Sequence, residues 1–197
     1  MKEYYDTRAP EYDDWYRGRG RFAGRERPGW DDELGELART IAALKPVRTL
    51  DVACGTGFLT RHLRGDVVAL DQSARMLEQA RQQAPHATLV QGDGLELPFP
   101  NDSFSRVFTG HFYGHLELPE RERFLREARR VAGELVIVDA SREHSGIDEE
   151  MSPRTLDDGS TWEVYKRYFT GAGLASELGG GDVLFEGAWF VVVRATL

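Results

Sequence analysis

A glycine-rich turn with a carboxylate on either side is the part of the chain best suited to chemistry. Residues 50–57 read LDVACGTG, so an apolar strand runs into a turn containing Gly55 and Gly57. Glycine adopts positive φ without strain and lets a ligand approach the bare backbone. Asp51 precedes the turn, and Asp71 ends the next apolar run. Two carboxylates in this arrangement suit a nucleotide-type ligand that joins a cationic amino acid to a ribose.

Two further segments follow the turn in a regular order. Residues 71–77 read DQSARML, and QGDG at 91–94 is followed by LPFPNDSF at 97–104. This order resembles the class I S-adenosylmethionine-dependent methyltransferases, in which the turn at 50–57 is the cofactor-binding loop. The resemblance covers residues 47–104, about a third of the chain.

The resemblance implies a role for several of these residues. Asp71 would accept both ribose hydroxyls, Asp93 would accept the adenine amino group, and the Gly94 N–H would meet a ring nitrogen. Asp51 would lie near the ammonium of the cofactor, and Met76 would line the adenine pocket. Each role has a plainer alternative: Asp71 as a turn acid, Asp93 as a loop cap, Asp51 as a loop buttress and Met76 in core packing. The full set of expected cofactor contacts is Tyr12, Tyr16, Asp51, Ala53, Cys54, Gly55, Gly57, Asp71, Gln72, Met76, Asp93, Gly94 and Gly110.

The segment GHFYGH at 110–115 is the candidate for catalysis. The corresponding loop of the family faces the transferable methyl group. We predict that His111 or Tyr113 removes a proton from the acceptor or orients its lone pair, because a neutral imidazole works near pH 7. His115 has the alternative role of anchoring the loop. A metal bound by His111 and His115 is disfavoured because no third ligand is evident, and we predict no metal.

The N-terminal residues resemble the lid of the family. We interpret 1–30 as a lid that closes Tyr12 and Tyr16 over the sulfonium. The alternative is a nucleic-acid-binding arm, since this segment is rich in both arginine and aromatic residues. Solvated or acid-paired arginines are favoured because the chain carries a net charge of −8. The arginines concerned are Arg17, Arg19, Arg21, Arg25 and Arg27.

Composition excludes several classes of protein. The acidic balance argues against a general nucleic-acid binder. Cys54 is the one cysteine, so no intrachain disulfide can form, and we expect Cys54 to pack beside the loop rather than act as a nucleophile. No apolar stretch approaches the ~20 residues of a membrane span, and the N-terminus does not resemble a signal peptide. We therefore predict a cytoplasmic protein, monomeric or homodimeric, without a membrane partner.

Alternating strand and helix patterns must position these residues. They predict an α/β fold, a Rossmann-like doubly wound sheet with ligands at the carboxyl ends of its strands. In the family, a C-terminal antiparallel hairpin completes a mostly parallel seven-stranded sheet. We expect a single domain over 1–197, with 141–168 as a substrate-side cover containing a hairpin. The expected strands are 47–52, 66–70, 87–91, 104–109 and 134–139, and the expected helices between them are 57–64, 73–84 and 118–132.

The sequence is thus interpreted as an S-adenosylmethionine-dependent methyltransferase acting on an O or N atom of a small molecule. One alternative is a non-catalytic module that binds the same cofactor. The other is an NAD-dependent oxidoreductase, which is disfavoured because Thr60 stands where a third glycine or alanine is expected.

Overall fold

The computed structural model describes residues 2–197, so Met1 of the predicted lid lies outside the described residues. Strands and helices alternate through most of this range. The strands are β1 Thr49–Val52, β2 Val67–Asp71, β3 Thr88–Gln91, β4 Arg106–Gly110, β5 Glu134–Ala140, β6 Glu149–Thr155, β7 Thr161–Arg167, β8 Asp182–Glu186 and β9 Phe190–Thr196. The helices are α1 Lys2–Arg8, α2 Asp14–Arg17, α3 Trp30–Ala43, α4 Ala74–Gln83, α5 Leu118–Val131, α6 Arg142–Ser145 and α7 Gly171–Glu177.

Seven strands form one sheet in the order β3-β2-β1-β4-β5-β9-β8. The pairs among β1 to β5 are parallel, and β9 runs antiparallel to both β5 and β8. The predicted mostly parallel seven-stranded sheet with its terminal antiparallel hairpin is confirmed. The order reverses between β1 and β4, and in open α/β sheets ligands bind outside the carboxyl ends of the strands at such a point.

The central strands are buried on both faces, which explains their continuous apolar sequence. One face packs against α5 and α7, with Phe124 and Leu174 in its core. The other face packs against α3, with Leu37 and Ile41 in its core. The sheet is therefore held rigidly from both sides, and its strand ends offer a fixed platform.

The predicted helix over 57–64 is wrong. A single 3₁₀ turn, Thr60–His62, follows the glycine turn, and Leu63 is already extended. The chain must reverse within a few residues to enter β2 at Val67. Gly65 makes that reversal at a φ of 102°, where a Cβ would lie 2.6 Å from the Val47 carbonyl oxygen. The ligand-facing N–H groups in this region therefore belong to the loop and not to a helix.

Residues 141–168 contain α6 and the predicted hairpin. Its strands β6 and β7 pair antiparallel as a separate two-stranded sheet beside the carboxyl end of β5. Within residues 2–197, no helix combines the length and apolar character needed to cross a bilayer.

Candidate functional site

A cavity of about 270 Å³ lies at the carboxyl ends of β1, β2, β3 and β4. We call it the strand-end cavity. Its lining contains most of the residues that the sequence identified, and their individual roles stay predictions. Those residues are Tyr12, Ala53, Gly55, Asp71, Gln72, Met76, Asp93, Gly94, Gly110 and His111.

Asp71 is fixed in the wall of this cavity by the backbone on either side. The Gly55 N–H donates to its Oδ2 over 2.9 Å, and the Ser73 N–H donates to its Oδ1 over 2.9 Å. Burial raises the pKa of Asp71, and these two backbone hydrogen bonds oppose that rise. Each carboxylate oxygen keeps a second lone pair. Asp71 can therefore hold the loop in place and accept two hydroxyls of a ligand.

Two non-glycine residues at neighbouring strand ends have left-handed backbone conformations. Ala53 follows β1 and His111 follows β4, each with a φ of 56°. Such conformations are uncommon outside glycine and concentrate at functional sites. Both residues line the strand-end cavity where the strand order reverses, which marks this edge as the functional edge of the sheet.

Asp51 is buried with one of its oxygens unpartnered. The carboxylate is only 1% exposed, the Thr60 hydroxyl donates to Oδ2 over 2.6 Å, and Oδ1 has no hydrogen-bond partner. Burial raises the pKa of Asp51 to about 7. Asp51 lines a cavity of about 10 Å³ that shares Tyr12, Ala53 and Gly110 with the strand-end cavity. The unpartnered oxygen is suited to a cationic group of a ligand.

We expect Asp51→Asn to stabilise the ligand-free protein at alkaline pH. Because folding raises the Asp51 pKa from 3.8 to about 7, the carboxyl group destabilises the fold increasingly as pH rises through this range, and fully above it. The variant should gain about 1–3 kcal/mol of unfolding free energy at pH 8 and lose most of that gain near pH 4. Urea denaturation at the two pH values measures this difference.

Asp66→Asn is the matched control, since Asp66 is an exposed carboxylate paired with Arg48 at the opposite end of β2. A gain for Asp51→Asn that is equal at pH 4 and pH 8 would contradict the assignment to its carboxylate charge.

Four expected contacts do not line the strand-end cavity: Asp51, described above, and Gly57, Cys54 and Tyr16. Gly57 packs against α4, where an added Cβ would lie 3.1 Å from the Ala80 Cα. Cys54 and Tyr16 line the small cavity near Asp51, and the Tyr16 ring stacks on Phe58 at 3.9 Å. The predicted cofactor contacts of Gly57, Cys54 and Tyr16 stay predictions.

The N-terminal segment 2–17 is attached to the glycine turn and α4 by polar contacts. The Ser73 hydroxyl donates to Asp6 Oδ1 over 2.5 Å, and the Thr56 hydroxyl donates to Asp13 Oδ1 over 2.5 Å. Ser73 Oγ also accepts the Met76 N–H over 3.1 Å and so caps α4. These contacts hold Tyr12 against the cavities.

The arginines of this region are mostly engaged within the protein. Arg17 pairs with Asp13, and Arg21 pairs with Glu11 and Asp157. Arg27 donates to the Trp15 carbonyl oxygen. Arg17 and Arg27 therefore hold the N-terminal region together, and Arg21 attaches it to the β6–β7 hairpin.

His111 and His115 stand between the strand-end cavity and a second cavity. The Nδ1 of His111 lies 3.8 Å from Asp139 Oδ1, and its Nε2 is buried without a partner. Burial lowers the pKa of His111 to about 4, although Asp139 opposes this shift. The Nδ1 of His115 lies 2.7 Å from the Tyr165 carbonyl oxygen, which requires the proton on Nδ1 and leaves the lone pair on Nε2. Burial also lowers the pKa of His115, to about 3. Both rings are neutral at pH 7.

Tyr113 does not join His111 at the cavity. Its side chain is fully buried in the core beside Phe124 and Phe169, and its hydroxyl donates to Glu177 over 2.9 Å. The loop turns inward after His111 because a 3₁₀ turn, Tyr113–His115, follows directly. Tyr113 therefore lies outside the lining of both cavities, and its predicted catalytic role stays a prediction.

The second cavity, of about 520 Å³, lies between the N-terminal segment and the β6–β7 hairpin. We call it the hairpin cavity. It shares Tyr12, His111 and His115 with the strand-end cavity. The sequence singled out Arg25, His111 and His115 but gave no signal for Arg8, Arg154 or Lys166, because α1, β6 and β7 reach the cavity only through tertiary contacts. Sequence reasoning also missed Tyr5, Leu95, Phe112, Leu116 and Glu120 in the strand-end cavity. The aromatic pair at 4–5 was the available signal for Tyr5.

The chain is similar in sequence to a family of methyltransferases and to individual curated methyltransferases. Residues 49–134 match the family described as "Methyltransferase domain". The chain is 34% identical over 118 residues to a demethylmenaquinone methyltransferase of Thermotoga maritima, covering 56% of this chain and 49% of that protein. It is 36% identical over 115 residues to 2-methyl-6-phytyl-1,4-hydroquinone methyltransferase 1, chloroplastic, of Oryza sativa subsp. japonica, covering 53% and 34%. The chain thus spans about half the length, or less, of these curated relatives.

The likeness to one solved structure extends over nearly the whole chain. The structure described as "DhpI-SAM-HEP complex" superposes with a TM-score of 0.73 at 27% identity, covering 98% of this chain and 94% of that one.

Proposed function

This chain belongs to the class I S-adenosylmethionine-dependent methyltransferase family, and we propose that it methylates an O or N atom of a small molecule. In this proposal the strand-end cavity holds S-adenosylmethionine and the hairpin cavity holds the acceptor. The observation that carries it is that the two cavities meet at Tyr12, His111 and His115. A donor and an acceptor bound in them would face each other across these three side chains.

The residues present fit this cofactor. Asp71 offers two fixed carboxylate oxygens for ribose hydroxyls, and Asp51 offers a buried unpartnered oxygen for the ammonium. Met76 supplies apolar surface for the adenine, and Asp93 also lines the cavity. Support also comes from the solved complex that contains SAM.

When bound, S-adenosylmethionine supplies a methyl group that the acceptor lone pair takes as the carbon–sulfur electrons return to sulfur, leaving S-adenosylhomocysteine and, from a hydroxyl or amine, one proton. The residues of this chain contribute positioning and exclusion of water, which can supply much of a rate enhancement. His111 or His115 accepts the proton that the hydroxyl or amine of the acceptor loses, or it orients the lone pair of that oxygen or nitrogen. The unpartnered Nε2 of His111 and the lone pair on His115 Nε2 are the atoms available for this role.

We expect calorimetry to show binding of S-adenosylmethionine and S-adenosylhomocysteine in the micromolar range, about −8 kcal/mol. NAD should give no detectable heat, because the loop after β1 lacks the helix and third glycine of a dinucleotide site. Tight NAD binding without either adenosyl ligand would exclude the proposal.

Release of S-adenosylhomocysteine in the presence of a panel of small hydroxyl and amine acceptors tests turnover. This measurement separates an enzyme from a module that binds the cofactor without turning it over.

A further inference from the structure

We propose that the acceptor is an anion, a small molecule carrying a carboxylate or phosphoryl group that the hairpin cavity binds through its cationic side chains. This inference rests on the proposed function, because it assigns the acceptor to the hairpin cavity. It adds the chemical class of that acceptor.

The hairpin cavity gathers cationic side chains from four separate segments of a chain whose net charge is −8. Arg8 comes from α1, Arg25 from the loop before α3, Arg154 from β6 and Lys166 from β7. Such convergence produces a local positive potential on an acidic protein, and that potential attracts anions selectively.

The arginines of this group are not neutralised by the protein. Within residues 2–197, no carboxylate lies within 4.0 Å of a guanidinium nitrogen of Arg8, Arg25 or Arg154. Arg8 instead donates from Nη1 to the Tyr4 hydroxyl over 2.6 Å and lies over the Tyr12 ring at 4.9 Å, and Arg25 lies over the Phe22 ring at 4.9 Å. These contacts orient the guanidinium groups of Arg8 and Arg25 and leave their remaining N–H groups to bind an oxyanion.

The carboxylates near the cavity do not cancel this charge. Glu150 is the acid in its lining, and it accepts the Tyr168 hydroxyl over 2.7 Å. Lys166 is 5% exposed and pairs over 2.5 Å with Asp139, which is fully buried behind it. The four cationic side chains therefore have two carboxylates near them, Glu150 and Asp139, and Asp139 is buried where a ligand cannot reach it.

The same charges disfavour a cationic acceptor. An ammonium in the hairpin cavity would lie among the arginines and close to a sulfonium in the neighbouring cavity, and like charges at short range repel. An anion there is attracted by both. Its reacting atom would be held at Tyr12, His111 and His115, where the two cavities meet.

The first test measures anion binding without turnover. Acetate and inorganic phosphate are titrated by NMR into the protein, with and without saturating S-adenosylhomocysteine, and acetamide is the uncharged match for acetate. We expect at least one anion to bind in the millimolar range, to bind less tightly as ionic strength rises, and to bind at least tenfold more tightly than acetamide. Acetate and phosphate distinguish a carboxylate site from a phosphoryl site.

Arg154→Gln and Arg25→Gln locate the site. Each should weaken binding of the favoured anion about fivefold to tenfold, since each removes one charged donor. Arg123→Gln is the matched control, because Arg123 is a half-exposed arginine of α5 that pairs with Glu96 at a distance from this cavity. Arg8 is left unchanged because it contacts Tyr12, which lines both cavities.

The proposal is overturned if neither anion binds better than acetamide, or if Arg123→Gln weakens binding as much as the two cavity variants do. It is also overturned if turnover occurs with a hydroquinone or another uncharged acceptor and with no hydroxy acid, amino acid or phosphate monoester. Either result leaves the proposed function standing if S-adenosylhomocysteine binds. Failure of S-adenosylhomocysteine to bind refutes the proposed function. The anion titration of the ligand-free protein still tests the anion site in that case.

Discussion

His111→Asn is expected to lower the turnover number about 10²-fold while changing affinity for S-adenosylhomocysteine less than about twofold. His111 stands where the two cavities meet, with a buried unpartnered Nε2 and with Asp139 3.8 Å from its other nitrogen. Asparagine is the right replacement because it tolerates the left-handed conformation that His111 adopts, so the loop keeps its shape. Turnover and calorimetry on the same preparation separate the two effects.

His86→Asn is the matched control, since His86 is exposed in the loop before β3 and lines neither cavity. Retention of full activity by His111→Asn would exclude His111 as the base and leave His115 or positioning alone to account for turnover. Tyr12→Ala, which removes a side chain that both cavities share, should then reduce turnover more. Full activity of both variants would place the reacting groups elsewhere.

The pH profile gives a second signature of His111. Because burial holds the pKa of its imidazole at about 4, the ring is neutral and able to accept a proton down to that value. If His111 is the base, kcat/KM for the acceptor, measured at saturating S-adenosylmethionine so that the titration of Asp51 does not contribute, should stay level above pH 6 and fall only as pH approaches 4. An acid limb centred near the ordinary histidine pKa of about 6.5 would point to a different group.

Asp71→Ala is expected to weaken binding of S-adenosylhomocysteine at least tenfold. A carboxylate that accepts hydroxyls contributes about 1.5–3 kcal/mol for each charged hydrogen bond, and two such bonds do not add fully. The variant also leaves the Gly55 and Ser73 N–H groups without their acceptor, so its unfolding free energy should fall by about 1–3 kcal/mol. Calorimetry at a temperature where the variant is folded measures the affinity.

Asp66→Ala is the control for this change, because it removes an exposed carboxylate from the other end of the same strand. Normal affinity of a folded but destabilised Asp71→Ala protein would mean that Asp71 only fixes the loop and does not contact ribose.

Local sequence pattern predicted the sheet and much of the strand-end cavity. Asp71 ends β2, Gly55 lies in the turn after β1, and Met76 lies in the first turn of α4, so neighbouring strand ends bring the three residues together. The pattern failed after the turn, where apolar residues at 58–63 indicated a helix although the chain had to reverse too soon to form one. It also gave no sign that Tyr113 is buried, because spacing along a loop does not reveal which side chain turns into the core.

The sequence indicated 1–30 as a lid and 141–168 as a substrate-side cover, but the cationic lining of the hairpin cavity between them could not be predicted. Arg8 and Lys166 lie far apart in the sequence and share a cavity only because α1 and the β6–β7 hairpin approach the same strand ends. Neither residue belongs to a motif. Cationic residues that are far apart in the sequence and brought together only by folding produce no local sequence pattern from which a binding site could be predicted.

Ser73 links the residue expected to bind ribose, Asp71, to the N-terminal segment. Its N–H holds Asp71, while its hydroxyl caps α4 and holds Asp6 of the N-terminal segment. A ligand that immobilises Asp71 therefore also steadies the contact that keeps residues 2–17 closed, and by thermodynamic reciprocity a closed segment tightens the ligand. Backbone amides of 2–17 should then exchange with deuterium more slowly once S-adenosylhomocysteine is bound, and Ser73→Ala should remove most of that protection. Ser73 would thus couple cofactor binding at Asp71 to the attachment of residues 2–17.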